Sequence, residues 1–119
     1  MSINIQSINS KFDKLSTLVQ YLNENGFSFK AICIQESWLN EDQDTTLLQI
    51  PDYNMIHQGK NCSEHGGLII YLKKEFNYTI RNLCKGSNLW EGLFIDVFSE
   101  KSKKKITIGN IYRPPKFNN

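Results

Sequence analysis

The chain has 119 residues, of which 39% are hydrophobic and 22% charged, values that exclude a disordered or collagen-like chain. This length corresponds to one domain or a part of one. Fourteen basic and twelve acidic residues leave a net charge of only +2, which excludes binding of nucleic acid through the overall field of the protein.

Cysteine content and hydropathy indicate the compartment. The three cysteines, Cys33, Cys62 and Cys84, are odd in number and contain no C-x-x-C pair, so they predict neither a disulfide framework nor a zinc site. The N-terminus lacks a basic flank followed by an apolar stretch, and no apolar run is long enough to span a bilayer. We therefore expect an intracellular protein, nuclear or cytoplasmic, without a membrane partner.

The first 35 residues predict a β-α-β unit. Residues 3–8 alternate apolar and polar side chains, which is typical of a short strand. A helix is predicted to follow, with Ser10 as its N-cap and Gly26 as its stop, because apolar residues recur at three- and four-residue spacing. The apolar run 31–34 predicts a central strand parallel to the first, reached by a right-handed crossover.

The rest of the chain predicts a mostly antiparallel β meander. Residues 36–52 form a polar connection with a helical turn expected near Leu47. Apolar segments separated by turn-rich stretches then predict five strands, at 53–57, 68–73, 78–83, 89–98 and 105–112. Two of these strands are apolar on both faces, while the chain supplies one helix. We therefore expect a further covering layer, from a partner or from additional sequence.

Two polar residues are predicted to meet at the carboxyl ends of the first strands. Glu36 directly follows the buried run at the end of the central strand, where open α/β sheets place ligand sites. A carboxylate in this position suits Mg²⁺, which binds one or two carboxylates together with water and phosphate. Asn4, on the first strand, can direct its side-chain amide to the same edge. The alternatives are a surface loop that begins at Glu36 and a capping role for Asn4.

A second group of candidates lies at the end of the last strand. Tyr112 and Arg113 precede residues 114–115, a double proline that makes the junction rigid. The phenol offers a hydrogen-bond donor, and the guanidinium a fork that matches phosphate geometry; the alternative is an ordinary strand end. His57 and His65 are predicted to be surface imidazoles rather than catalytic or metal-binding groups.

Four segments, in this order, resemble the front half of the endonuclease/exonuclease/phosphatase superfamily, which has the deoxyribonuclease I-like fold. More particularly, they resemble the apurinic-type endonuclease domain of non-LTR retrotransposons. The segments are NIQSINSK at residues 4–11, IQESWL at 34–39, GGLIIYLK at 66–73 and IGNIYRPP at 108–115. The resemblance covers nearly all of the chain and implies the N-terminal half of a four-layer α/β/β/α sandwich of the α+β class.

The resemblance also implies roles for individual residues. Asn4 would contact the scissile phosphate or support the metal site, and Glu36 would bind Mg²⁺, or Mn²⁺ in its place. Tyr112 would touch the phosphate, with Arg113 beside it as a substrate-binding group. Gln6 stands where some relatives carry a carboxylate. The implied chemistry is Lewis-acid polarisation of a phosphodiester together with orientation of the attacking water.

The resemblance further implies DNA as the substrate and a reverse transcriptase domain downstream in a parent polyprotein. The family's later motifs, Gly-Asp-x-Asn and Ser-Asp-His, do not occur in these 119 residues. We therefore expect residues 1–119 to form a partial domain that lacks half of the catalytic set and is inactive by itself. Two alternatives stay open: a non-catalytic remnant or interaction module on the same β scaffold, and a phosphatase of the same superfamily.

Overall fold

Two β-sheets and one long α-helix make up the described part of the chain, which is residues 1–60, 65–81 and 90–113 of a computed structural model. The helix α1 spans Ile8–Glu24, and a single 3-10 turn spans Thr46–Leu48. The first sheet contains β1 (Ser2–Asn4), β2 (Ala31–Gln35), β3 (Tyr53–Gln58) and β4 (Leu68–Lys73), in the spatial order β1-β2-β4-β3. The second sheet contains β5 (Asn77–Arg81), β6 (Glu91–Phe98) and β7 (Lys105–Tyr112), in that order.

The α+β class predicted from the sequence is confirmed. β1 and β2 are parallel and are connected through α1, which is the predicted β-α-β start. The remaining strands that the structure describes pair in antiparallel fashion. They are divided between the sheets: β3 and β4 form a hairpin in the first, and β5, β6 and β7 form a meander that is the second.

The bounds of the strands follow the apolar runs closely. β4 and β7 have the predicted bounds, and the helical turn near Leu47 is present. The first strand is shorter than predicted, because it ends at Asn4 and Ile8 already belongs to the helix. Residues 82–83 and 89 of the predicted strands lie outside the described residues.

The start of α1 also differs from the prediction. The sequence predicts Ser10 as the N-cap, but the helix begins at Ile8 and no side chain caps it. Instead, the backbone N–H groups of Ser7 and Ile8 donate to the carbonyl oxygens of Glu36 and Ser37, at 2.9 and 3.0 Å. The helix start therefore takes its hydrogen-bond partners from the loop after β2, and no local capping pattern marks it.

The first sheet is covered on both faces. On one face α1 packs against β2, in a helix-side core that includes Leu15, Val19, Ile32 and Ile34. On the other face the second sheet packs against it, in an inter-sheet core that includes Ile70, Leu72, Leu93, Ile95 and Val97. The first sheet therefore needs no cover from another chain or from additional sequence, because β5, β6 and β7 supply it. The further covering layer stays a prediction for the second sheet.

The second sheet is less completely covered. Large apolar side chains on its strands are 39–57% exposed: Ile80, Phe98, Ile106 and Ile111. Cys33 on β2 carries a free thiol at the inter-sheet core, whereas Cys62 and Cys84 lie outside the described residues. In the ranges that the structure describes, no helix combines the length and the apolar content needed to cross a bilayer.

A buried amide connects the two sheets. Asn110 of β7 is 1% exposed, and its Nδ2 donates to the carbonyl oxygens of Ile34 and Ile69, at 2.9 and 3.0 Å. Its Oδ1 accepts a hydrogen bond from Nε2 of Gln35 at 2.6 Å. Because hydrogen bonds are directional and apolar packing is not, these bonds fix where β7 lies across β2 and β4.

This cross-link makes a prediction about stability. Replacing Asn110 by alanine removes the donor to two buried carbonyl oxygens, and we expect the free energy of unfolding to fall by about 3 kcal/mol. Asn77→Ala is the matched control, because Asn77 is an exposed asparagine in β5, and we expect a change below about 0.5 kcal/mol. Urea unfolding of both variants measures the difference. Equal stabilities would contradict a structural role for the Asn110 amide.

Candidate functional site

Glu36 and Tyr112 form a buried contact between the two sheets. Glu36 follows β2 directly, and Tyr112 is the last residue of β7. The hydroxyl of Tyr112 donates to Oε1 of Glu36 at 2.7 Å, across a separation of 76 residues. Glu36 is 7% exposed and Tyr112 is also 7% exposed. The alternative that Glu36 begins an exposed surface loop is therefore wrong.

The loop that carries Glu36 has an unusual backbone. Glu36 and Trp38 have φ values of 55° and 62°, in the left-handed region that residues with side chains rarely adopt. Hydrogen bonds from the start of α1 hold the carbonyl groups of this loop. On its other side, the N–H groups of Ser37 and Trp38 donate to the carbonyl oxygens of Gly67 and Gly66, at 3.1 and 2.8 Å. Strained backbone held in this way from several sides is found most often at functional sites.

The environment of Tyr112 keeps its hydroxyl protonated. Burial raises the pKa of Tyr112 to about 12, with further contributions from its hydrogen bond to Glu36, from the charge of Glu36 and from the charge of Glu91. Tyr112 is therefore a hydrogen-bond donor throughout the physiological pH range. Its bond to Oε1 fixes the direction in which the Glu36 carboxylate presents its second oxygen.

The other two predicted site residues lie near this pair. Asn4 is the exposed last residue of β1 and pairs with Gln35, which directly precedes Glu36. Arg113 directly follows Tyr112 and is exposed. The double proline at 114–115, which is predicted to make this junction rigid, lies outside the described residues. The structure thus brings Glu36 and Tyr112 into contact, with Asn4 at the neighbouring strand end and Arg113 beside Tyr112 in the chain.

The histidines differ in their relation to the site. His65 is exposed, as predicted, and its ring meets the ring of Trp38 edge-on at a centroid distance of 5.6 Å. His57 on β3 is half-buried rather than on the surface. Nowhere in the ranges 1–60, 65–81 and 90–113 do three or more His, Cys, Asp or Glu side chains group together as a metal cage.

Asn110 and Glu91 are not among the residues that the sequence predicts for the site. Both are polar residues that are less than 5% exposed, on strands whose same-face neighbours are apolar. Alternation along β6 places Glu91 on the face of Leu93 and Ile95, and alternation along β7 places Asn110 on the face of Ile108. A polar residue on the apolar face of a strand is the signal that could have identified them.

Comparison with known proteins supports the fold. No protein-family model and no curated protein sequence matches the chain. Among solved structures, the AP endonuclease LMAP from Leishmania major matches with a TM-score of 0.67 and 19% sequence identity. The match covers 93% of this chain and 38% of that chain. The chain therefore shares the fold of part of this AP endonuclease and spans well under half of its length.

The Tyr112–Glu36 contact predicts how Tyr112 titrates. In metal-free buffer we expect Glu36→Gln to lower the pKa of Tyr112 from about 12 towards the ordinary value of 10.0, but not fully, because burial remains. Since the pKa is raised by folding, the associated stability is complete below about pH 10 and is lost as the pH rises towards 12. Carbon-13 NMR of the labelled tyrosine Cζ atoms measures the titration.

Glu75→Gln is the control for this titration, because Glu75 is an exposed carboxylate in the turn after β4. We expect it to leave the pKa of Tyr112 at about 12. An unchanged Tyr112 titration in Glu36→Gln would show that the two side chains are not in contact in solution.

Proposed function

We propose that the chain is the N-terminal part of a magnesium-dependent endonuclease that nicks DNA, of the kind that precedes reverse transcriptase in non-LTR retrotransposons. The observation that carries this proposal is the 2.7 Å hydrogen bond from Tyr112 to Glu36. These are the residues to which the sequence resemblance assigns phosphate contact and metal binding, and they come from different sheets. The likeness of the fold to an AP endonuclease supports the same class of reaction.

Glu36 fits the ligand requirements of Mg²⁺. This ion prefers hard oxygen ligands and usually keeps several waters, so one or two carboxylates and a substrate phosphate complete its coordination. The Glu36 carboxylate is 7% exposed and rigidly held, with Oε1 engaged by Tyr112. When bound, Mg²⁺ would polarise the phosphodiester and neutralise charge that develops during hydrolysis.

The chain's own residues would orient the phosphate. Tyr112, protonated at neutral pH, holds the carboxylate of Glu36 in one orientation. The amide of Asn4, one strand away, would donate to a non-bridging phosphate oxygen. The guanidinium of Arg113 would bind a second phosphate group along the DNA strand, since its fork matches phosphate geometry. Positioning of this kind contributes to catalysis because the reactants lose less translational and rotational entropy on the way to the transition state.

We further propose that nicking belongs to a longer polypeptide, with a reverse transcriptase domain downstream and an intracellular location. Two observations support the longer polypeptide, whereas the reverse transcriptase domain rests on the sequence resemblance and the location on the cysteine content. The chain matches 38% of the length of the AP endonuclease, and the sequence lacks the Gly-Asp-x-Asn and Ser-Asp-His motifs that the resemblance leads us to expect. By itself the chain would bind the metal and phosphate but hydrolyse little or nothing.

Metal binding tests the site in the chain as it stands. We expect Mn²⁺, used as a paramagnetic probe, to broaden the NMR signals of Glu36, Tyr112 and Asn4 first. Glu36→Gln should weaken Mn²⁺ binding at least about tenfold, because loss of a single metal-orienting group already costs about 10- to 100-fold. Glu75→Gln, which removes an exposed carboxylate far along the chain, should leave the affinity unchanged. Equal Mn²⁺ affinity in both variants would contradict the assignment of Glu36.

Nicking of supercoiled plasmid DNA in Mg²⁺ tests the activity. We compare the chain alone with the chain extended by whatever sequence follows it in its gene, and we expect nicking only from the extended protein. Glu36→Gln in the extended protein should abolish most of it. Nicking at the wild-type rate in that variant would exclude Glu36 from the site. Release of phosphate from a phosphomonoester without nicking would favour the phosphatase alternative.

An interaction module is the second candidate, and the exposed apolar side chains of the second sheet favour it. Ile80 and Ile106 are 51% and 57% exposed although their strand partners belong to the inter-sheet core. Binding of another chain through these exposed side chains would not need Glu36. Size-exclusion chromatography separates the two candidates, since a stable monomer that binds no partner counts against the module.

A further inference from the structure

A second buried carboxylate lies beside Tyr112. Glu91 begins β6, is 4% exposed and pairs with Tyr112 across the β6–β7 ladder. Its Oε1 accepts a hydrogen bond from the backbone N–H of Gly67 at 2.8 Å. Because burial of a carboxylate is costly unless hydrogen bonds compensate for it, Glu91 and Gly67 hold each other in a defined position.

Two glycines make this arrangement possible. Gly66 and Gly67 have φ values of 102° and 90°, which residues with side chains adopt only with strain. A Cβ atom on Gly66 would lie 2.7 Å from Oε1 of Glu91, and one on Gly67 would collide with Oγ of Ser37. The glycine pair therefore fills the space between Glu91 on one side and the loop after β2 on the other.

The same glycine pair holds the backbone next to Glu36. The carbonyl oxygens of Gly67 and Gly66 accept hydrogen bonds from the N–H groups of Ser37 and Trp38. The left-handed conformations of Glu36 and Trp38 are unfavourable by themselves and persist only where surrounding contacts impose them. An unbroken series of hydrogen bonds thus leads from the carboxylate of Glu91 to the loop that carries Glu36.

We infer that Glu91 is a positioning residue, which holds the Gly66–Gly67 turn and through it keeps the Glu36 carboxylate directed at Tyr112. Its effect on the loop is independent of any ligand. Its effect on metal affinity rests on the proposed function. The two effects are therefore measured separately.

Amide hydrogen exchange in the metal-free chain measures the effect on the loop. In Glu91→Ala we expect exchange at Ser37 and Trp38 to accelerate about tenfold or more, because the buried N–H of Gly67 loses its acceptor. Exchange at Leu15 and Val19 in α1 should accelerate much less, since these residues report on global unfolding. Uniform acceleration at all four positions would reduce Glu91 to a general contributor to stability and overturn the inference.

Glu91→Gln is the second variant, and it decides the question if Glu91→Ala does not fold. Glutamine keeps the shape and an oxygen acceptor but loses the charge, and neutral hydrogen bonds are roughly half as strong as charge-assisted ones. We expect a smaller acceleration, again confined to Ser37 and Trp38. Glu75→Ala serves as the control that should change neither residue. Wild-type exchange at Ser37 and Trp38 in either variant that folds would overturn the inference.

Mn²⁺ affinity separates this inference from the proposed function. If both hold, Glu91→Ala weakens Mn²⁺ binding about tenfold, as expected for loss of a residue that orients a metal ligand, and Glu91→Gln restores most of the affinity. If the wild-type chain binds no Mn²⁺ but the exchange pattern is local, the proposed function fails and the positioning role stands. If Mn²⁺ binds Glu36 normally in both variants, the positioning role fails and the proposed function stands.

Discussion

The buried amide of Asn110 is the constraint on which the relation between the two sheets depends. Apolar side chains attract one another without preferred direction, so the inter-sheet core alone would permit one sheet to slide over the other. The bonds from Asn110 to the carbonyl oxygens of Ile34 and Ile69 permit only one position. Tyr112 lies two residues beyond Asn110, and Glu36 two residues beyond Ile34. The hydrogen bonds of Asn110 thereby determine where Tyr112 meets Glu36 at the ends of the strands.

The loop after β2 serves the fold and the candidate site together. Its carbonyl groups supply the hydrogen bonds that begin α1, and its N–H groups bind the Gly66–Gly67 turn. The helix, the first sheet and the second sheet therefore all meet at Glu36. Because three elements hold the loop, the Glu36 carboxylate is rigid although the chain is short. Loss of order in any one of these elements would disturb the position of the carboxylate.

Local patterns predict much of this fold, since the apolar runs and the turns between them define β2, β4 and β7 almost to the residue. The start of α1 escaped prediction because a distant loop caps Ile8, whereas Ser10 is only a local signal. Stacking of the sheets is also a product of contacts between remote segments. At the site, the resemblance indicated Glu36 and Tyr112 separately, but not their contact. Asn110 was overlooked although alternation marks it as a polar residue on an apolar face.

The left-handed backbone at Glu36 has a consequence for how this position evolves. At φ 55°, a residue with a side chain costs about 1 kcal/mol more than glycine, so folding alone disfavours an acid there. Replacing both members of a buried hydrogen bond by apolar groups of the same shape can be nearly neutral or stabilising. A lineage that retained the chain only as a scaffold would thus lose little stability by exchanging Glu36 and Tyr112 together, for example to methionine and phenylalanine. Retention of both residues in descendant sequences would indicate selection for the chemistry of the site, whereas their joint replacement would indicate selection for the fold alone.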